Sequence, residues 1–406
     1  MAIRSEKVTF AGAGGEKLAA RLDLPQGRPR AFALFAHCFT CNKDIFAAAR
    51  IAGGLAAQGF AVLRFDFTGL GASEGDFANT NFSSNVGDLV RAADFLRDSY
   101  EAPKLLIGHS LGGAAVLAAA GRVPEALAVA TIGAPADPAH VAEHFTEARP
   151  EIEAQGEAEV LLVGRPFRIK KQFLEDIAQH KLEPAIAGLK KSLMVFHAPR
   201  DATVGIDNAS RIFLAAKHPK SFVSLDDADH LLSRKADAIY VAEVLAAWAG
   251  RYLGTESAEP LKAKAGQVVV EETGEGTFTQ RIAAGPHQLR ADEPEEVGGF
   301  DSGPSPYDFL LAGLGACTSM TLRLYAQRKG LALKRTRVTL AHDKIHAADC
   351  ETCETKEGRI DRIERVIVLE GDLSEAERQR LLEIADKCPV HRTLESEVQI
   401  VTKAGA

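Results

Sequence analysis

Cysteine is scarce, with six residues in a chain of 406. That is too few for a disulfide scaffold and points instead to reduced thiols in the cytosol. Long runs of Lys or Arg are absent and the formal charge is −7, so there is no electrostatic footprint for nucleic acid. No stretch approaches the ~18 consecutive apolar residues that suggest a membrane span. The opening "MAIRSEKVTF" lacks the charged-then-apolar pattern of a signal peptide. Internal repeats and low-complexity tracts are missing too. The expectation is a soluble, cytoplasmic protein without a membrane span, nucleic-acid partner, metal or cofactor. What is present is ordinary globular composition, 46% hydrophobic and 25% charged, over a length that accommodates two or three domains.

The chain changes its pattern part-way. Residues 31–37, 61–67, 104–110, 127–133 and 192–198 are unbroken apolar runs suited to buried parallel strands. Helical candidates at 45–58, 84–99, 111–121 and 207–216 lie between them, and such alternation predicts an α/β domain over 1–253. The start reads as an antiparallel hairpin at the sheet edge. Residues 138–190 interrupt the rhythm with a charge-rich, mostly helical insertion placed like a lid. The polar, small-residue stretch 254–266 reads as a linker. After it, short strands, a long apolar helix (about 307–329), further strand (335–346 and 360–370) and a second helix (about 375–387) predict a separate α+β domain over 267–406.

Gly108-His109-Ser110-Leu111-Gly112 is a G-x-S-x-G that ends an apolar strand and opens a helix. A turn this sharp exposes the serine hydroxyl above the sheet, so Ser110 is the candidate nucleophile, against a plain tight turn. A serine needs a base, and the base needs a carboxylate that holds its tautomer. Asp201 follows the strand 192–198 directly, which favours it over Asp207, Asp226, Asp227 and Asp229, and His230 follows the next β run. These residues resemble the α/β-hydrolase superfamily of the small-esterase and serine-aminopeptidase type. "RFDFTGLGASEG" (64–75) is similar to the segment that packs beside the active site in that family.

The stretch "HCFTCNKD" (37–44) holds a C-x-x-C that could be a redox dithiol, half of a zinc site, or neither. The resemblance implies that His37-Cys38-Phe39 is the loop that binds the oxyanion, with Cys38 where glycine is usual. Phe39 and Leu111 would then supply the two backbone N–H donors. On that reading Cys38 and Cys41 are small buried fillers, with a redox switch and zinc as rivals.

In the second half, Cys317 sits in an apolar helix and Cys388 precedes Pro389, which suits a helix start with Cys388 as its N-cap. "GPSPYDFLLAGLGACTSMTLRLYA" and "ADKCPVHRTL" resemble the OsmC/organic-hydroperoxide-resistance family over about 267–406. The resemblance implies an intertwined homodimer and a thiol peroxidase in which Cys317 attacks the peroxide, Cys388 resolves the sulfenate and a dithiol restores both. The family's active members place a Glu ten residues before the first cysteine, where this chain has Tyr307 followed by Asp308. Arg281 is the candidate for the activating arginine. His342, His346, Cys350 and Cys353, spaced H-x₃-H-x₃-C-x₂-C, read as a solvated hairpin tip, with zinc or a redox pair as alternatives.

The expected protein is thus a serine esterase acting on a small acyl ester, fused to an OsmC-like thiol peroxidase. Two rivals remain: a hydrolase that feeds the thiol domain, and an esterase whose second domain is a non-catalytic dimerisation or ligand-binding module.

Overall fold

A computed structural model describes residues 4–162, 165–254, 259–346 and 358–405. Two units separate within it, Met1–Glu259 and Pro260–Ala406. The boundary falls inside the expected linker.

The first unit is built on eight strands in the order β1-β2-β4-β3-β5-β6-β9-β10. These are β1 (Arg4–Ala11), β2 (Lys17–Leu24), β3 (Ala31–Ala36), β4 (Phe60–Phe65), β5 (Leu105–His109), β6 (Ala128–Ile132), β9 (Ser192–His197) and β10 (Lys220–Ser224). The first two strands form the antiparallel edge, and β4 through β10 run parallel. Every residue of β3, β4, β5, β6 and β9 is buried, because helices cover both faces. One face packs Ile51 and Leu55 of α1 (Phe46–Ala57) with Val241 and Leu245 of α8 (Lys235–Gly250). The other packs Leu89 and Leu96 of α2 (Phe82–Ser99), Val116 of α3 (Leu111–Ala119) and Ile212 of α7 (Asp207–Ala215). Each such side chain contributes about 1.5–3 kcal/mol relative to exposure.

The insertion is mostly helical and also carries a hairpin not expected from the sequence. It contains a 3₁₀ stretch, α4 (Arg149–Gln155), an antiparallel hairpin of β7 (Glu157–Leu162) and β8 (Arg165–Lys170), then α5 (Lys171–Gln179) and α6 (Leu182–Ala187). The hairpin's first strand buries Ala158, Val160 and Leu162 and turns Glu159 and Leu161 outward. That is a period of two, which the surrounding charge disguised as helical surface.

The second unit opens with three antiparallel strands, β11 (Val268–Glu272), β12 (Gln280–Ala284) and β13 (His287–Ala291). Helix α9 (Pro306–Lys329) follows, started by a Ser305/Asp308 capping box and ended by Gly330 in the left-handed region. Strands β14 (Ala332–His346) and β15 (Arg359–Asp372) pair antiparallel. Helices α10 (Glu375–Ala385) and α11 (Pro389–Glu395) close the unit. Its small core joins Leu322 and Ala326 of α9 to Leu381 and Ile384 of α10. Helix α9 is long and apolar enough by length and composition to cross a membrane, and its Leu314, Thr318, Leu322 and Ala326 are buried.

Candidate active site

Ser110 closes β5 and caps α3 with φ 55° and ψ −126°, a strained backbone for a residue with a side chain. The turn is possible because its neighbours are small. A Cβ on Gly108 would lie 2.2 Å from the Gly112 carbonyl oxygen, and one on Gly112 would lie 2.4 Å from the carbonyl oxygens of Ala36 and His37. The elbow therefore forces the Ser110 hydroxyl outward at the strand's carboxyl end.

Two loops from the far side of the sheet meet it. His230, beyond β10, places Nε2 2.9 Å from Ser110 Oγ and Nδ1 2.7 Å from Asp201 Oδ2. With Nδ1–H donating to Asp201, Nε2 is left to accept the serine proton. Asp201 follows β9, and its Oδ1 also accepts from Thr203 N (2.8 Å) and Val204 N (2.9 Å). Burial opposes the charge on Asp201, but the hydrogen bonds from His230 and these amides prevail and hold its pKa below the ordinary value. The rival acids are otherwise engaged. Asp226 bonds Ser224, Asp227 pairs with Arg234, Asp229 bonds Ser233, and Asp207 sits in the first turn of α7.

His109 supports the arrangement from beneath. Its Nε2 lies 2.7 Å from the His230 carbonyl oxygen, while Nδ1 is buried without a hydrogen-bond partner. Burial, aided by the nearby charge of His230, pulls the pKa of His109 down to about 4. His109 is therefore a neutral donor that fixes the backbone of His230.

The loop after β3 departs from expectation. Cys38 and Cys41 are not free fillers but a disulfide, their Cα atoms 5.3 Å apart across a turn closed by Cys41 N donating to Cys38 O (3.2 Å). That Cα spacing falls within the range a disulfide spans without backbone movement. Between them Thr40 has φ 60°, an uncommon conformation for a β-branched residue. Beyond them the backbone of Lys43 is gripped from both sides. Asp66 accepts from Lys43 N and Nζ, each at 2.6 Å, and from Ala72 N at 2.9 Å. Arg64 donates to the Lys43 carbonyl (2.5 Å), to Asp44 (2.8 Å) and to Asp23 (2.6 Å). Two alternate residues of the β4 segment thus clamp the loop, a role hidden in the motif "RFDF".

Phe39 packs its ring against Phe173 of α5 and Phe77, which in turn meets Phe167 of β8. The insertion hence rests on this loop, and Arg165 donates to the Thr40 carbonyl (3.3 Å). A cavity of about 250 Å³ opens beside the serine, lined by Cys38, Phe39, Thr40, Cys41, Ser110, Leu161, Leu162, Thr203, His230 and Leu231. Leu111 lines an adjoining crevice with Cys38 and Phe39. Aside from His230, no lining side chain is ionisable in this state, so the space suits a neutral, largely apolar group.

In the second unit, Cys388 is fully buried at the start of α11, where its sulfur accepts from His391 N (3.3 Å). Cys317 is half-buried on α9, and the neighbouring Thr318 hydroxyl lies 3.7 Å from Cys388 Sγ. The expected Arg281 is engaged elsewhere, ion-paired to Glu271 across β11 and β12. Arg365 of β15 reaches residues next to both cysteines, donating to Thr318 Oγ1 (3.0 Å), Ala385 O (3.3 Å) and Asp386 (2.6 Å). A signal existed: Arg365 shares the inward register of Ile363, Ile367 and Leu369. Tyr307 stacks on His342 with centroids 4.2 Å apart, and His342 also meets Asp361 at 2.8 Å. Among the described residues no group of three or more His, Cys, Asp or Glu could hold a metal. The side chain of His346 and the Cys350/Cys353 pair lie outside the described residues.

Two family models match successive stretches of the chain. A family model described as alpha/beta hydrolase family matches residues 33–274. The chain belongs to that family. A second model, OsmC-like protein, matches 299–403, so an OsmC-like domain follows the hydrolase. The esterase domain of a Rhodothermus marinus protein is 56% identical, with a TM-score of 0.52, and its structure aligns over 62% of this chain and 100% of that one. The mouse mitochondrial palmitoyl-protein thioesterase ABHD10 is 30% identical over 188 residues, 44% of this chain and 62% of the mouse protein. The chain thus spans under two thirds of that relative's length. A mouse ABHD10 structure, 23% identical with a TM-score of 0.52 over 61% of this chain and 99% of that one, shares the fold.

Proposed function

We propose that the alpha/beta hydrolase unit cleaves carboxylic esters of neutral acyl groups through an acyl-enzyme on Ser110. The observation that carries this is the continuous hydrogen-bond chain Ser110–His230–Asp201 at a strained elbow beside an apolar cavity. As Ser110 Oγ attacks the carbonyl carbon, His230 Nε2 takes the serine proton and Asp201 stabilises the imidazolium. The amides of Phe39 and Leu111 receive the developing oxyanion. Collapse of the tetrahedral species breaks the bond to the leaving group, which takes the proton from His230, and water activated by the same base then releases the acid. Thioesters belong in the test, because they react by the same steps and a relative is named for them.

For the OsmC-like unit we propose a thiol peroxidase. Cys317 thiolate attacks the O–O bond, giving a sulfenate and an alcohol. Cys388 then forms a disulfide with loss of water, and an external dithiol reduces it. The contact between Thr318 and Cys388, with Arg365 against both Thr318 and the Ala385 carbonyl, supports a working thiol corner. Exposed Val268, Val270, Met320, Leu324 and Val366 favour a homodimer formed through this unit. The alternative is an esterase whose second unit only dimerises or binds a ligand.

The deciding experiment compares wild type, Ser110→Ala and Cys317→Ser on p-nitrophenyl esters and thioesters of increasing length, and on cumene hydroperoxide with a dithiol. Each variant is expected to lose one activity alone. Ester turnover surviving in Ser110→Ala would refute the acyl-enzyme, and wild type without peroxide turnover would leave the second unit as a scaffold.

A further inference from the structure

We propose that Cys38 and Cys41 are a reversible dithiol–disulfide site inside the substrate cavity, taking small dithiols and disulfides, and that its closed form holds the oxyanion loop in working shape. This rests on the assignment of Ser110 and Phe39 above.

Three observations converge. First, both cysteines line the same cavity as Ser110 and His230, so a small thiol that enters like a substrate reaches the bond. Cys41 is half-buried whereas Cys38 is only 4% exposed, which makes Cys41 Sγ the sulfur that an incoming thiolate meets. Second, the ring bracketed by the bond contains just Phe39 and Thr40, the oxyanion donor and a β-branched residue at φ 60°. Such a backbone persists where its surroundings over-determine it. Third, the chain on either side is held independently of the bond. Strand β3 is locked in the sheet, and Lys43 is gripped by Arg64 and Asp66. Opening the bond therefore loosens the turn at 38–41, which keeps the Phe39 ring contacts and the Arg165 bond to the Thr40 carbonyl, and leaves the fold intact.

The exchange balances. One thiolate of the dithiol attacks Cys41 Sγ, the bond to Cys38 breaks, and Cys38 departs as a thiolate that takes a proton. The second thiol attacks the mixed disulfide, releasing Cys41 as a thiol and the reagent as its cyclic disulfide. Two electrons and two protons pass to the protein, and an oxidised dithiol reverses the sequence.

The test uses the full chain carrying Cys317→Ser and Cys388→Ser, equilibrated in buffers of defined reduced-to-oxidised dithiothreitol ratio. Ester kinetics are read beside alkylation of the Cys38/Cys41 peptide, quantified by mass. Opening is expected to lower kcat about tenfold or more, short of the ~10²–10³ for outright loss of an oxyanion donor, with KM little changed. Both readouts should share one midpoint. Cys41→Ala should sit at the reduced-state rate and ignore the buffer, its fold checked by the fluorescence of Trp248. Two results would overturn the proposal: a peptide whose alkylation never changes with the buffer, or a kcat indifferent to a bond that does open. If Ser110→Ala still hydrolyses ester, the hydrolase assignment fails instead, and the mass readout alone still decides whether the pair cycles.

Discussion

Replacing His109 with Gln should flatten the acid limb of the stability profile. The folded protein holds His109 neutral, with a pKa of about 4 against 6.5 when exposed. Its folded-state pKa is depressed because charging it would bury a cation whose Nδ1 has no acceptor. Between those values the unfolded chain binds the extra proton, so stability rises with pH. The contribution is fully present above pH ~6.5 and is lost as pH falls towards 4. Integrating that linkage from pH 7 to pH 5 gives a loss of about 2 kcal/mol attributable to this one ring. Glutamine keeps an N–H that can reach the His230 carbonyl but does not titrate. The variant should be less stable at pH 7 yet lose about 2 kcal/mol less than wild type on going to pH 5. Trp248 is the sole tryptophan and lies on α8, so its fluorescence in urea titrations follows the hydrolase unit. Other acid-sensitive groups, including buried His37 and Asp201, are common to both proteins, so the comparison reads the ring together with its coupling to them. Parallel curves for the two proteins would refute the assignment of His109 as a buried neutral donor.

Lys43→Met should destabilise the hydrolase unit by about 3–5 kcal/mol, because it strands the fully buried Asp66 carboxylate. Adding Asp66→Asn should recover part of that, and a single variant within ~0.5 kcal/mol of wild type in the same urea assay would argue against the clamp. Arg365→Met should reduce cumene hydroperoxide turnover about tenfold or more, the equivalent of one charge-assisted hydrogen bond of about 1.5–3 kcal/mol. Ester turnover should not change, and equal peroxide rates would remove Arg365 from the thiol site.

The features legible in the sequence are those in which one residue type answers to one local constraint. Fully buried parallel strands need unbroken apolar runs, and β3, β4, β5, β6 and β9 fall within one or two residues of the runs that announce them. An elbow needs glycines where Gly108 and Gly112 stand, so Ser110 could be singled out. Asp201 could be chosen among five acids because it follows a buried strand, and its Oδ2 lies 2.7 Å from His230 Nδ1. The features that stayed hidden are pairings between distant segments. Lys43 and Asp66 are 23 positions apart, and Arg365 and Thr318 are 47. The register of β15 turns Arg365 inward, but nothing local in either segment names its partner. Arg281, the candidate arginine in the sequence, pairs with Glu271.

The C-x-x-C is a third kind of case. Its spacing permits a disulfide, a metal or two packed thiols, and composition argued for reduced thiols. What selects among them is the turn from Cys38 to Cys41, which brings the Cα atoms to 5.3 Å while placing Thr40 at positive φ. The same turn carries the Phe39 amide. Backbone shape, sulfur chemistry and the proposed oxyanion donor therefore occupy four consecutive residues. For that reason the redox state of Cys38 and Cys41 should register in kcat, where transition-state contacts are felt, rather than in KM.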